Sequence, residues 1–413
     1  MNKQNQQGWL EEIDIMRAIG IIAVVIIHVT GQARSLPETS TTYLFFAAIN
    51  YSLQFAVPLF LLISALVLTY KYSSNNDFDW LKFYRNRIGS MLIPYVIWSV
   101  IYLIFKFVVM ISDPVFKAII NNKATLDIFL TKLDRIVDIR YDIYITNLNA
   151  NNIIFWGKGN YHLYFLSLII QFYILFPLLI RCFRFIQGAH AKILNRIKEG
   201  SVSKNLFDIT NFVIITFILY FLQYEFILFN KQYIYDEFQL TGSLLMSYIM
   251  PIGMGLWVGY NLKNSWSRVW RVIRYFVYPI AIISSWMFVQ LSLNNTFDKD
   301  LIAMIRNVFV TSISLVIFDM ARGILLIGSK FLKSTLKSIG EASFGIFLIH
   351  PLFLELWNVN GFIAKIGGNI IVYTLLKFTA FIIVFGISWY IVKLLGNRPG
   401  WRILFGNRGG RKA

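Results

Sequence analysis

Long apolar stretches, each near the length of a membrane-crossing helix and separated by polar or charged segments, recur along the whole chain. They fall near residues 13–33, 43–70, 90–111, 161–184, 210–230, 242–261, 273–293, 301–328, 342–358 and 369–395. In lipid every backbone polar group must be satisfied within its own segment. The pattern therefore predicts an all-α polytopic membrane protein, with about ten transmembrane helices in a single bundle. An even number of crossings places both termini on one side. Lys and Arg concentrate in the connections on the side of the N-terminus, which assigns both termini to the cytoplasm. The division is a membrane domain over 1–395 and a basic, glycine-rich tail over 396–413 that touches anionic lipid.

Composition agrees with this division. Of 413 residues, 57% are apolar and 15% charged, with a mean hydropathy of +0.60, which excludes a soluble globular domain. The formal charge of +18 is mostly positive-inside bias, with some benefit to an anionic ligand. Its spread over many segments, without a groove-reading motif, excludes nucleic acid as a partner. The single cysteine, Cys182, excludes a disulfide framework, and no metal site is expected from the spacing of Cys and His.

Polar residues inside the apolar stretches are the candidates for chemistry. Arg17 and His28 bracket an otherwise apolar run in the first span. Eleven residues make about 1100° of turn and about 16 Å of rise, so both lie on one helix face. An imidazole at that depth either bonds a neighbouring helix or faces a polar cavity as a functional group. Arg17 is a topological anchor or a ligand for an anion. In the second span, Pro58 loosens the helix beside Ser64. Lys82, Arg85 and Arg87 form either a positive-inside cluster or a phosphate clamp at the inner mouth. His162 opens the fourth span at the outer rim, among aromatics. Ser343 and His350 are seven apart on one face of the ninth span, and Pro351 should bend or end the helix there. Asp319 and Arg322 are spaced to pair with each other. The external segment 112–160 has the periodicity of an amphipathic helix, with Ile128, Phe129, Leu133, Ile136 and Val137 on its apolar face.

Taken together, these motifs resemble the bacterial integral-membrane acyltransferase 3 family, the O-acyltransferases of surface polysaccharides. The resemblance is carried by Asp14 with Arg17, by Arg17 with His28, and by Pro58, Phe60 and Ser64. Arg87 before Pro94, His162 through Leu166 with Tyr173 and Pro177, and Ser343 through Pro351 complete it. The chain departs from the family pattern at Ala65 (usually Gly), at Tyr164 (usually Trp) and at Ser90 (usually a second Arg).

The resemblance implies a cell-membrane enzyme that moves an acyl group, most often acetyl, from cytoplasmic acyl-CoA to a hydroxyl of a surface polysaccharide or its lipid-linked precursor. Acyl-CoA is then a donor substrate rather than a resident cofactor. Attack of an alcohol on a thioester needs a base near neutral pKa, and His28 is the residue expected to serve. Arg17 and Arg87, with Arg85 beside them, would hold the CoA phosphates. His162 and His350, with Ser64 and Ser343, would position acceptor or thioester. No acidic residue on its own helix can reach His28, so an orienting partner must come from another helix. Two other readings are a flippase or exporter of a lipid-linked glycan and a non-catalytic subunit of a surface-polymer synthase.

Overall fold

The structure, a computed structural model, describes residues 11–73, 78–120, 157, 159–197, 204–233, 244–263, 265–294, 297–358, 369–396 and 398–406. The expected helix over 112–160 and the tail beyond Gly406 lie mostly outside these residues. Among the described residues, every regular element is helical. The α-helices are α1 (Glu11–Thr30), α2 (Thr41–Ser52), α3 (Ala56–Tyr72), α4 (Trp80–Ile120), α5 (Tyr164–Ile197), α6 (Lys204–Tyr233), α7 (Ile249–Asn261), α8 (Trp266–Leu293), α9 (Lys299–Ile327), α10 (Lys330–Asn358) and α11 (Ile370–Leu395). Short 3-10 turns follow α1 and precede α7.

Nine helical stretches among the described residues are long and apolar enough to cross a membrane. The expected sixth span is shorter. Its α-helix α7 has 13 residues, about 20 Å, and runs from Gln223 in the second half of α6 to Leu66 and Thr69 near the end of α3. A β-carbon on Gly255 or Gly259 would lie 2.4 Å from the carbonyl oxygen of Leu62 or Leu66. Two glycines four apart thus let α7 lie directly on the backbone of α3.

Local chemistry explains the boundaries. Glu11, Glu12 and Asp14 occupy the first turn of α1, where the exposed N–H groups favour negative charge. Ser40 caps α2 through Tyr43 N, Asp298 caps α9 through Asp300 N, and Asn369 caps α11 through Ile371 and Val372 N. Pro58 does not kink a continuous second span. The chain breaks at residues 53–55, and the proline sits in the first turn of α3, where no intrahelical N–H is required.

Helix α1 is the axis of the bundle, enclosed by α3, α9, α10 and α11. Large side chains such as Phe217, Trp286 and Phe378 point outward from α6, α8 and α11, forming the apolar perimeter of a membrane protein. Asp319 and Arg322 do not pair. Asp319 accepts from Tyr278 Oη at 3.0 Å, and Arg322 reaches Glu12 at 3.5 Å, tying the ends of α9 and α1 together.

Candidate active site

Arg17 and Arg402 line one cavity, so both described ends of the chain lie at the same end of the bundle. This cavity has a volume of about 690 Å³, within the range of ligand sites. Arg17, Lys71, Arg87 and Arg402 supply positive charge to its walls, and Glu341 is the only acid lining it among the described residues. Arg17 Nη1 lies 3.4 Å from Oδ1 of the buried Asp14, an i, i+3 pair that fixes the arginine on the first turns of α1. Arg87 lines the cavity with Asn86 and Ser90, whereas Arg85 is exposed and does not line it. Ser64 and Ser343 also line it, and Ser64 Oγ donates back to Phe60 O at 2.8 Å.

The opposite end gathers three of the chain's four histidines. His28 and His350 stack with ring centroids 5.3 Å apart, and His162 meets His350 at 5.8 Å. Tyr161 packs on the far side of His28 at 4.7 Å. Tyr102, which donates to Leu348 O at 2.6 Å, sets its ring edge-on to His162 at 5.0 Å. His350 Nδ1 is 2.9 Å from Ile346 O. A carbonyl only accepts, so Nδ1 carries the proton, and in the neutral ring Nε2 is an acceptor. That Nε2 and both ring nitrogens of His162 are buried with no hydrogen-bond partner among the described residues. Pro351 does not end α10, which continues to Asn358. Lacking an N–H, the proline leaves the helical ladder open one turn back, beside His350.

A second cavity of about 260 Å³ opens on this cluster. His28 and His162 line it with Arg34, Asn50, Gln54 and Arg306, and His350 stands behind His28. Among the described residues the rings packed against His28 are those of Tyr161 and of His350 on α10. Among the described residues, no group of three or more His, Cys, Asp or Glu is arranged to hold a metal ion.

Phe165 and Phe347 line both cavities, with ring centroids 5.3 Å apart, and Phe60 continues the row at 5.8 Å from Phe165. A thin aromatic partition is therefore what separates the cationic space from the histidines. Sequence spacing sets Arg17 and His28 on one face of α1, and in the structure Arg17 lines the cavity on one side of this partition and His28 the cavity on the other.

Lys71, Arg402, Arg34 and Arg306 were not legible as site residues. Arg402 belonged to the segment expected as a lipid-facing tail. Through Gly406 that segment instead folds back on the bundle: Trp98 Nε1 donates to Leu404 O at 2.9 Å, and Phe405 is buried. The signal was the apolar residues Trp401, Ile403, Leu404 and Phe405 around Arg402 inside a basic stretch.

A helical membrane bundle with a cationic cavity at one end, buried imidazoles at the other and one partition between them has the layout of a group-transfer enzyme. The sequence profile of a family described as an acyltransferase domain matches residues 10–393. This covers nearly the whole chain, and the protein belongs to that family, acyltransferase 3: it is a multi-pass membrane acyltransferase that transfers groups other than aminoacyl groups. No curated protein and no solved structure matches the chain significantly.

Proposed function

We propose that the protein is an O-acyltransferase of the cell membrane that takes an acyl group, most simply acetyl, from cytoplasmic acyl-CoA. It delivers that group to a hydroxyl of a cell-surface polysaccharide or its lipid-linked precursor. The observation that carries this reading is the pair of cavities meeting at Phe165 and Phe347, one lined by Arg17 and Arg87 and the other by His28. In this reading the larger cavity faces the cytoplasm, together with both termini. Guanidinium groups suit the CoA phosphates through paired, charge-assisted hydrogen bonds. The pantetheine arm then reaches along α1 toward the partition and presents the thioester to the histidines.

The chemistry needs one proton moved twice. An imidazole nitrogen of His28 accepts the proton of the acceptor hydroxyl as its oxygen bonds the thioester carbon. The tetrahedral intermediate collapses with cleavage of the carbon–sulfur bond, and the proton passes from the imidazolium to the departing CoA thiolate. His350 and Tyr161 hold the His28 ring by packing. His162, on the same cavity wall, is placed to orient acceptor or thioester oxygen. Enclosure of the site keeps water from competing with the acceptor.

The test uses full-length protein in nanodiscs with radiolabelled acetyl-CoA, paired with NMR of surface glycan from cells carrying wild type or His28→Ala at matched expression. Loss of a base costs about 10²–10⁴-fold in rate. Transfer that persists near the wild-type rate in His28→Ala refutes the assignment.

A further inference from the structure

We infer that the smaller cavity selects an acidic acceptor, a saccharide bearing a carboxylate or phosphate near the hydroxyl to be acylated. The inference rests on the proposed function for the identity of that cavity as the acceptor site. Arg34 and Arg306 both line the cavity beside His28 and His162, and its other polar walls are the neutral amides Asn50 and Gln54 and the phenol of Tyr164. Among the described residues no Asp or Glu lines it. The wall carries neutral donors and acceptors, but its only formal charges among the described residues are two guanidinium groups with no carboxylate to offset them, so its field favours an anion over a neutral sugar.

Arg306 is the more telling of the two. It lies seven residues into α9, about 10 Å along a membrane-crossing helix, and is only partly exposed. Among the described residues it forms no ion pair, and its Nε donates to the uncharged Gln54 Oε1 at 3.2 Å. The positions three and four away on its helix, Ile302, Ala303, Phe309 and Val310, are apolar. An intramembrane cation without a countercharge is costly, and an arriving anion relieves that cost. Arg34 is exposed at the mouth of the same cavity, where its field draws anions inward.

The experiment uses the full chain in zwitterionic nanodiscs at fixed ionic strength. Methyl β-glucuronide, its neutral counterpart methyl β-glucoside, and glucose 6-phosphate are titrated calorimetrically without acetyl-CoA, then offered as acceptors with it. At least one anionic probe should bind about tenfold or more tightly than the glucoside, the scale of one hydrogen bond to a charged group. Whether glucuronide or phosphate is preferred identifies the anion. Arg306→Gln and Arg34→Gln should each erode the preference, and Arg306→Lys should retain part of it. Thermal unfolding of each variant checks the fold, and the exposed Arg34→Gln tests the charge if Arg306→Gln misfolds. Equal binding of glucoside and anions, failure of both anions to bind, or a preference that survives both Gln variants overturns the inference. Charge-dependent binding without transfer by wild type would sustain the acidic site and refute the acyltransferase reading of it. Equal transfer to glucoside and glucuronide would do the reverse.

Discussion

Gly340→Ala tests whether the close approach of α1 to α10 builds the larger cavity, the donor site of the proposed function. A β-carbon on Gly340 would lie 1.9 Å from Asp14 O, 2.6 Å from Asp14 C and 2.9 Å from Asp14 Cα. Carbon and oxygen meet comfortably at about 3.3 Å, so the helices must part by more than about 1 Å. The obstacle is backbone, which cannot rotate away as a side chain would. Overpacking of this kind costs about 1–3 kcal/mol or more, and the alanine returns at most about 1 kcal/mol of helix propensity. The net expectation is a loss of about 1–2 kcal/mol. Gly323→Ala is the control, because a β-carbon there meets nothing within 4 Å and only the propensity gain remains. The displaced residue belongs to the Asp14–Arg17 pair, so the functional loss should fall on donor KM more than on kcat. Unfolding followed by tryptophan fluorescence in nanodiscs should show a lower Tm for Gly340→Ala, an equal or higher Tm for Gly323→Ala, and a raised acyl-CoA KM for the former alone. A Gly340→Ala protein with wild-type Tm and wild-type donor KM would refute the reasoning.

Phe347→Ala removes a ring shared by both cavities, so release of free CoA thiol without acceptor should rise relative to transfer; unchanged hydrolysis would mean the partition does not exclude water. Trp98→Phe deletes the bond to Leu404 O at 2.9 Å, worth about 1 kcal/mol, and should loosen the segment carrying Arg402. A several-fold rise in donor KM with kcat retained is the expected readout. Tyr102→Phe deletes the bond to Leu348 O that holds the Tyr102 ring against His162, and should lower kcat while leaving donor KM unchanged, measured by initial rates across acetyl-CoA concentrations.

Much of the fold was legible in the sequence because hydrocarbon permits few backbone solutions. Apolar stretches of the right length had to be helices, and the helical period alone set Arg17 and His28 on one face of α1. Ser343 and His350 were related in the same way along α10. The extent of each helix was less legible. The second span breaks just before Pro58, where the proline's missing N–H does no harm, and the short α7 is seated on α3 by Gly255 and Gly259, a contact between helices that periodicity does not show.

The site itself was decided by tertiary packing. His28, His162 and His350 come from positions more than a hundred residues apart, and only the docking of α10 on α1 through Gly340 and the placement of α5 bring their rings within 5.3–5.8 Å. Arg306 falls inside the apolar stretch 301–328, but nothing in its neighbourhood along α9 points to His28. Arg402 looked like part of a basic end until Trp98 and the buried Phe405 fixed its segment at the larger cavity. Relations along one helix follow from a fixed rise and turn per residue, so the sequence by itself determined them. Relations between helices depend on which surfaces can approach closely, and those surfaces exist only once the bundle has packed.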